Sequence, residues 1–126
     1  MSSEIPEARS MRTNIGVTAA GAEALARLVA EEWFTTNIDA FRFGFAYALA
    51  NEISASTEPP GAFTEMTWNV GSVDPDGRIM SLVDMQHPSD DPWDAIRRLG
   101  DAGVRAIVER GVHLGSPTDV LGMSDD

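Results

Sequence analysis

Residues 34–53, FTTNIDAFRFGFAYALANEI, decide the fold of this chain. Thr36, followed three residues later by Asp39, is a capping pattern that opens an apolar run. Positions 40–50 are hydrophobic on every face, and Arg42 is the only charge among them. A helix that has no polar face lies inside a protein. The sequence therefore predicts a buried helix at the centre of the molecule.

A chain of 126 residues has few other elements with which to cover such a helix. We therefore expect a second copy of the chain to supply part of the cover, in a dimer or higher oligomer. The predicted oligomer core consists of Phe41, Gly44, Phe45 and Ala48. A plain core helix within one chain is the alternative that the sequence leaves open.

Periodicity places the other elements around this helix. Alternating residues predict short strands at about 11–17 and 63–70. N-caps, proline and helical spacing predict three further helices, at about 19–34 (capped by Thr18), 75–86 (capped by Asp74) and 92–110. The sequence thus predicts a mainly α fold with four helices, one or two short strands and an oligomeric helical core.

The last two predicted helices are amphipathic, so each has an expected buried face. For the helix at 75–86 this face is Ile79, Leu82 and Val83. For the last helix the apolar spacing predicts a buried face formed by Trp93, Ile96, Leu99, Gly103 and Ile107, and an outer face formed by Arg98, Asp101, Arg105 and Glu109.

Composition limits the class of protein. The length predicts one domain, 1–126, with mobile tails at about 1–10 and 115–126. The chain has no cysteine and a net charge of −11. Neither a secretion signal nor an apolar run of membrane-spanning length is present, so we expect a cytoplasmic protein without a membrane partner.

No pattern in the sequence indicates catalysis. The segment 74–77, Asp-Pro-Asp-Gly, resembles part of a calcium loop, but Val83 stands where that loop needs a bidentate glutamate. Asp84, His87, Asp90 and Asp91 could in principle hold a metal, but a solvated connector is the better explanation of this Asp-rich loop. We expect no catalytic residue, no metal and no cofactor; a metal-dependent enzyme that uses this loop is the alternative.

Arginine is concentrated in the last predicted helix. Segment 94–110 carries a net charge of +1 in a chain of net −11. Arg98 and Arg105 are therefore the candidates for contacts with DNA phosphates. Salt bridges within the helix are the alternative explanation.

The order strand, capped helix, short break and capped helix over 12–53 resembles a ribbon-helix-helix module. The second helix of that family opens with a capping residue, an acidic residue and an apolar–Arg pair, which Thr36, Asp39, Phe41 and Arg42 match. The resemblance implies a strand that pairs with its twin across a dimer and lies in the major groove. It also implies that Arg12 and Asn14 read bases and that the backbone near Asn37 holds phosphate.

More of the chain is similar to the small helical accessory subunit of bacterial DNA sulfur-modification (phosphorothioation) systems. The matching positions are Thr36, Asn37, Ile38, Arg42, Ala48, Leu49, Glu52, the segment 65–69 and the segment 110–112. This similarity implies a helical, oligomeric protein that is tied to DNA modification and phage defence.

Two functions follow as expectations. The first is a non-enzymatic, DNA-associated accessory or regulatory protein of a prokaryotic DNA-modification or phage-defence system, working with a larger protein of the same system. The second is an acidic oligomeric scaffold that binds a larger partner protein without contacting DNA.

Overall fold

Five helices and two short strands make up the part of the chain that the structure, a computed structural model, describes: residues 13–56, 58–86, 88 and 90–111. In chain order they are β1 (Asn14–Val17), α1 (Ala19–Ala30), α2 (Asn37–Ala50), β2 (Glu65–Asn69), α3 (Val70–Val73), α4 (Arg78–Gln86) and α5 (Pro92–Gly111). The predicted mainly α class is confirmed, with the single turn α3 added to the four expected helices. Both predicted tails and Arg12 lie outside the described residues.

The central helix α2 is buried as predicted, and α5 of the same chain provides most of its cover. Phe41 and Ala48 have no exposed surface, Phe45 is 1% exposed, and Gly44 is also buried. A side chain without exposed surface cannot contact a second copy of this fold. The four residues expected in an oligomer core therefore belong to the core of the single chain, and the oligomeric state itself stays a prediction.

The two strands pair with each other in an antiparallel sheet. Asn14 lies opposite Asn69 and Ile15 opposite Trp68, and the register then shifts so that Val17 lies opposite Glu65. Such a shift is typical of a β-bulge. The Trp68 ring packs 5.1 Å from the Phe41 ring, which joins the sheet to α2.

Both α1 and α2 end with a glutamate in the left-handed region. Glu32 has φ = 66° and Glu52 has φ = 56°. The next residue in each case, Trp33 or Ile53, donates its backbone N–H to a carbonyl five residues back, at 3.0 and 2.9 Å. This pattern is the Schellman motif, which usually has glycine at the left-handed position. It ends α1 at Ala30 rather than at the predicted residue 34.

The helix predicted to start at Pro75 starts at Arg78. Asp74 still caps it, because its two carboxylate oxygens accept the backbone N–H groups of Ile79 and Met80, each at 3.0 Å. Of the three side chains expected to be buried on this helix, only Val83 is. Leu82 is 42% exposed, so the prediction that it is buried was wrong.

The buried face predicted for α5 is confirmed, but Asp101 does not lie on the outer face. Its carboxylate is fully buried, and it accepts the backbone N–H of Thr18 at 2.8 Å, the Thr18 hydroxyl at 3.0 Å and the Arg105 Nε–H at 2.9 Å. Thr18 in turn caps α1 by accepting the Gly21 N–H at 3.0 Å. Asp101 therefore joins the middle of α5 to the start of α1.

Candidate functional site

The arginines proposed as phosphate contacts on α5 are held by carboxylates of the same helix. Asp94 accepts from Arg97 at 2.7 Å and from Arg98 at 2.9 Å. Asp101 accepts from Arg105 at 2.9 Å. Arg97 also lies over the Phe63 ring, 4.6 Å from its centroid. The intrahelical salt bridges that the sequence left as an alternative are therefore present.

The same holds for arginines elsewhere in the described residues. Arg27 pairs with Glu31, Arg42 with Asp39 and Arg78 with Asp76, at 3.8, 2.8 and 3.2 Å. Arg110 donates to the Tyr47 hydroxyl at 2.6 Å. Six of the described arginines thus lie beside a carboxylate: Arg27, Arg42, Arg78, Arg97, Arg98 and Arg105. Because the chain has 20 acidic and 9 basic residues, this pairing leaves a surface that is predominantly acidic.

The other predicted DNA contacts lie on different elements. Asn14 is exposed at the start of β1, whose Ile15 and Val17 side chains are buried. Asn37 is the first residue of α2 and is half-buried. The adjacent backbone is already capped, since Thr36 accepts the Asp39 N–H at 3.2 Å. The Asp39 carboxylate at this helix end is paired with Arg42 at 2.8 Å.

The loop considered as a metal site divides in the structure. Asp84 lies on α4, Asp90 and Asp91 directly precede α5, and His87 is outside the described residues. Within the described ranges, no three His, Cys, Asp or Glu side chains come together in a way that could hold a metal ion. In the same ranges, no helix has the length and apolarity needed to cross a membrane.

An apolar groove between α2 and α4 was not predicted from the sequence. It encloses ≈ 350 Å³, and its lining includes Arg42, Phe45 and Ala46 from α2 and Ile79 and Leu82 from α4. Met85, one turn beyond Leu82, is 76% exposed. The sequence does contain a signal for this groove. Ile79, Leu82 and Met85 are three residues apart and form a row of apolar side chains on α4 in addition to the buried Val83.

We compared the chain with family models, curated proteins and solved structures, and none of them matches it. The resemblances to a ribbon-helix-helix module and to a DNA sulfur-modification subunit therefore stay predictions.

Proposed function

We propose that this protein is a non-enzymatic accessory or scaffold protein whose acidic surface binds a larger, basic partner protein. The observation that carries the proposal is the internal pairing of the arginines. Three of the four arginines of α5, namely Arg97, Arg98 and Arg105, each have a carboxylate oxygen within 2.9 Å.

Electrostatics favour a protein partner over nucleic acid. Binding to DNA is driven by cationic side chains that replace the counterions of phosphate groups. An arginine that stays paired with a carboxylate brings no net charge to a phosphate, and the net charge of −11 repels the DNA backbone. The same field attracts a basic protein and accelerates its association.

Affinity capture followed by reconstitution tests this proposal. The tagged chain retains proteins from source cells, and each candidate is purified and titrated against the chain by calorimetry. We expect a basic protein whose affinity falls when salt is raised from about 50 to about 200 mM, the range in which charge-driven binding weakens strongly. Charge reversal at Glu23, Glu58 and Glu109, which are exposed, should weaken binding further.

Substitution of the same three glutamates by glutamine is the matched control, and it should have a smaller effect than reversal to lysine. A retained protein whose affinity is unchanged by salt and by charge reversal would contradict the proposal.

A DNA-associated accessory role is the second candidate, and one observation favours it. Asn14 is exposed and lies opposite Asn69 at one end of the sheet, so two amide-bearing residues are adjacent there. Asparagine amides can pair with adenine edges in the major groove.

A further inference from the structure

We propose that the groove between α2 and α4 is the docking site for a basic amphipathic helix of the partner protein. This inference rests on the proposed function, because it names the surface and the chemistry by which the acidic chain would hold its basic partner. The following observations concern the shape of the groove, its exposed side chains and its charge.

The shape fits a helix. The lining on the α4 side runs from Val73 through the loop before α4 to Leu82, and the exposed Met85 lies one turn further along the helix. The nine residues of α4 span about 13.5 Å at 1.5 Å per residue, a length that matches two to three turns of a partner helix. On the α2 side the exposed residue is Ala46, whose small side chain permits close approach. Ile79, which is half-buried, supplies apolar surface on the α4 side, and the buried Phe45 ring forms the floor of the groove.

The exposed side chains indicate a protein partner. Leu82 and Met85 are the large hydrophobic residues that remain exposed in the described part of the chain, and both lie on α4. Exposed apolar patches with a polar rim mark interaction surfaces. Methionine is common on surfaces that receive helices, because its flexible thioether adapts to the bound side chains.

The charge around the groove selects a basic helix. Asp74 and Asp76 line it together with Arg42 and Arg78, and Asp39 is bound to Arg42. Arg42 is engaged on several sides, since it donates to Asp39 and to the carbonyl oxygens of Ser72 and Val73. The three carboxylates exceed the two arginines, Arg42 and Arg78, by one charge, and the chain as a whole has a net charge of −11, so an occupant with a net positive charge is favoured.

A second copy of this chain is a poorer occupant. Each copy brings a net charge of −11, so two identical acidic rims would repel each other. A basic helix gains the same apolar contacts and adds attraction instead of repulsion.

Selection from a displayed library of helical peptides of about 14 residues, four turns, tests the proposal on the full-length chain. We expect the enriched peptides to have apolar residues at i, i+3, i+4 and i+7 and a net positive charge. Replacing Leu82 and Met85 together by serine should weaken the best peptide by about tenfold or more, as loss of central apolar contacts does. Amide shifts in NMR spectra should concentrate on α2 and α4.

Two variants control for damage to the fold. Met85→Ser alone removes a side chain that is mostly exposed, so it should fold normally and still weaken the peptide severalfold. Ala26→Ser makes an apolar-to-polar change at an exposed position of α1 and should leave binding unchanged. Circular dichroism and thermal melts of each variant confirm that the compared proteins are folded.

The outcomes separate this inference from the proposed function. If basic peptides bind equally well to wild type and to the folded Leu82/Met85 double variant, or shift amides outside α2 and α4, the groove assignment is wrong and the proposal of an acidic scaffold is unaffected. If acidic or neutral peptides are enriched, the assignment of a basic occupant is wrong. If the wild type is a dimer and the Leu82/Met85 double variant is a monomer, a second copy is the occupant and the proposal is wrong. The proposal is also wrong if no peptide is enriched.

Discussion

A side chain on Gly103 of α5 would occupy the position of the Gly44 carbonyl of α2. A Cβ atom on Gly44, in turn, would lie 2.9 Å from the Val104 backbone nitrogen and 3.0 Å from the Gly100 carbonyl oxygen. The two helices therefore cross with their backbones in contact, and glycine is required on both. The absence of side chains between them lets α5 cover α2 without a second copy of the chain.

Gly103→Ala should lower the free energy of unfolding by about 3 kcal/mol, at the upper end for overpacking, because the added methyl group meets rigid backbone. Chemical denaturation by urea, followed by circular dichroism, measures the change. Gly61→Ala is the matched control, since a Cβ there has nothing within 4 Å and the backbone has no left-handed φ. Equal stability of the two variants would contradict the close crossing.

Asp101→Asn should destabilise the protein by about 2–4 kcal/mol, because breaking a buried charge pair leaves donors unpaired. The asparagine amide offers one acceptor oxygen where the carboxylate receives Thr18 and Arg105 on two. Asp76→Asn is the control: its pair with Arg78 is well exposed, so the loss should stay below about 1 kcal/mol. Urea denaturation measures the free energy of unfolding of both variants. Similar decreases for the two would show that the hydrogen bonds of Asp101 do not join α5 to α1 in a buried site.

Glu32→Gly and Glu52→Gly should each stabilise the protein by about 0.5–1 kcal/mol. Glycine removes the cost of the left-handed backbone conformation, about 1–2 kcal/mol of folding free energy. The greater flexibility of glycine in the unfolded chain cancels about half of this gain. Thermal unfolding measures both variants. Glu23→Gly, at an exposed position inside α1, should instead destabilise by about 1 kcal/mol. Destabilisation at residues 32 and 52 would mean that the helices do not end in this motif.

Phe45→Asp should prevent folding, because it places a charge at a position that is 1% exposed within the chain. Ala46→Asp, at the neighbouring exposed position, should stay folded. Circular dichroism and sedimentation velocity distinguish folding from assembly. A folded monomer of Phe45→Asp would refute the burial of α2 in a single chain.

Purified protein without its partner should not bind duplex DNA even at about 50 mM salt, where cationic contacts are strongest. Fluorescence anisotropy with a labelled duplex makes the measurement. Detectable binding would favour the second candidate function. In that case Asn14→Ala should reduce sequence preference, whereas Arg98→Ala with Arg105→Ala should weaken all sequences alike.

The starts of α1, α2 and α5 could be predicted from the sequence because they depend on neighbouring residues. Thr18 and Thr36 cap α1 and α2 through bonds to residues three positions away, and the spacing of α5 identifies its buried face. The end of α1 could not be predicted, since a glutamate takes the left-handed position at which glycine is the usual signal.

The candidate groove was missed because exposure depends on what packs against a helix. The periodicity of α4 groups Ile79, Leu82 and Val83 on one face, but only tertiary packing decides that Val83 is buried and Leu82 open. The concentration of arginines on α5 could be read from the sequence. Which of them form salt bridges with Asp94 and Asp101 could not, because that depends on side-chain geometry.

The sequence by itself determined a mainly α protein with a buried central helix, because helix caps and hydrophobic periodicity act over a few residues. Only the tertiary structure decided what covers that helix, which strand pairs with β1 and where Asp101 lies. These features depend on contacts between residues far apart in the chain: Gly44 with Gly103, Ile15 with Trp68, and Thr18 with Asp101. Local pattern carries no information on such distances, because the same amphipathic helix can bury its face against its own chain or against another.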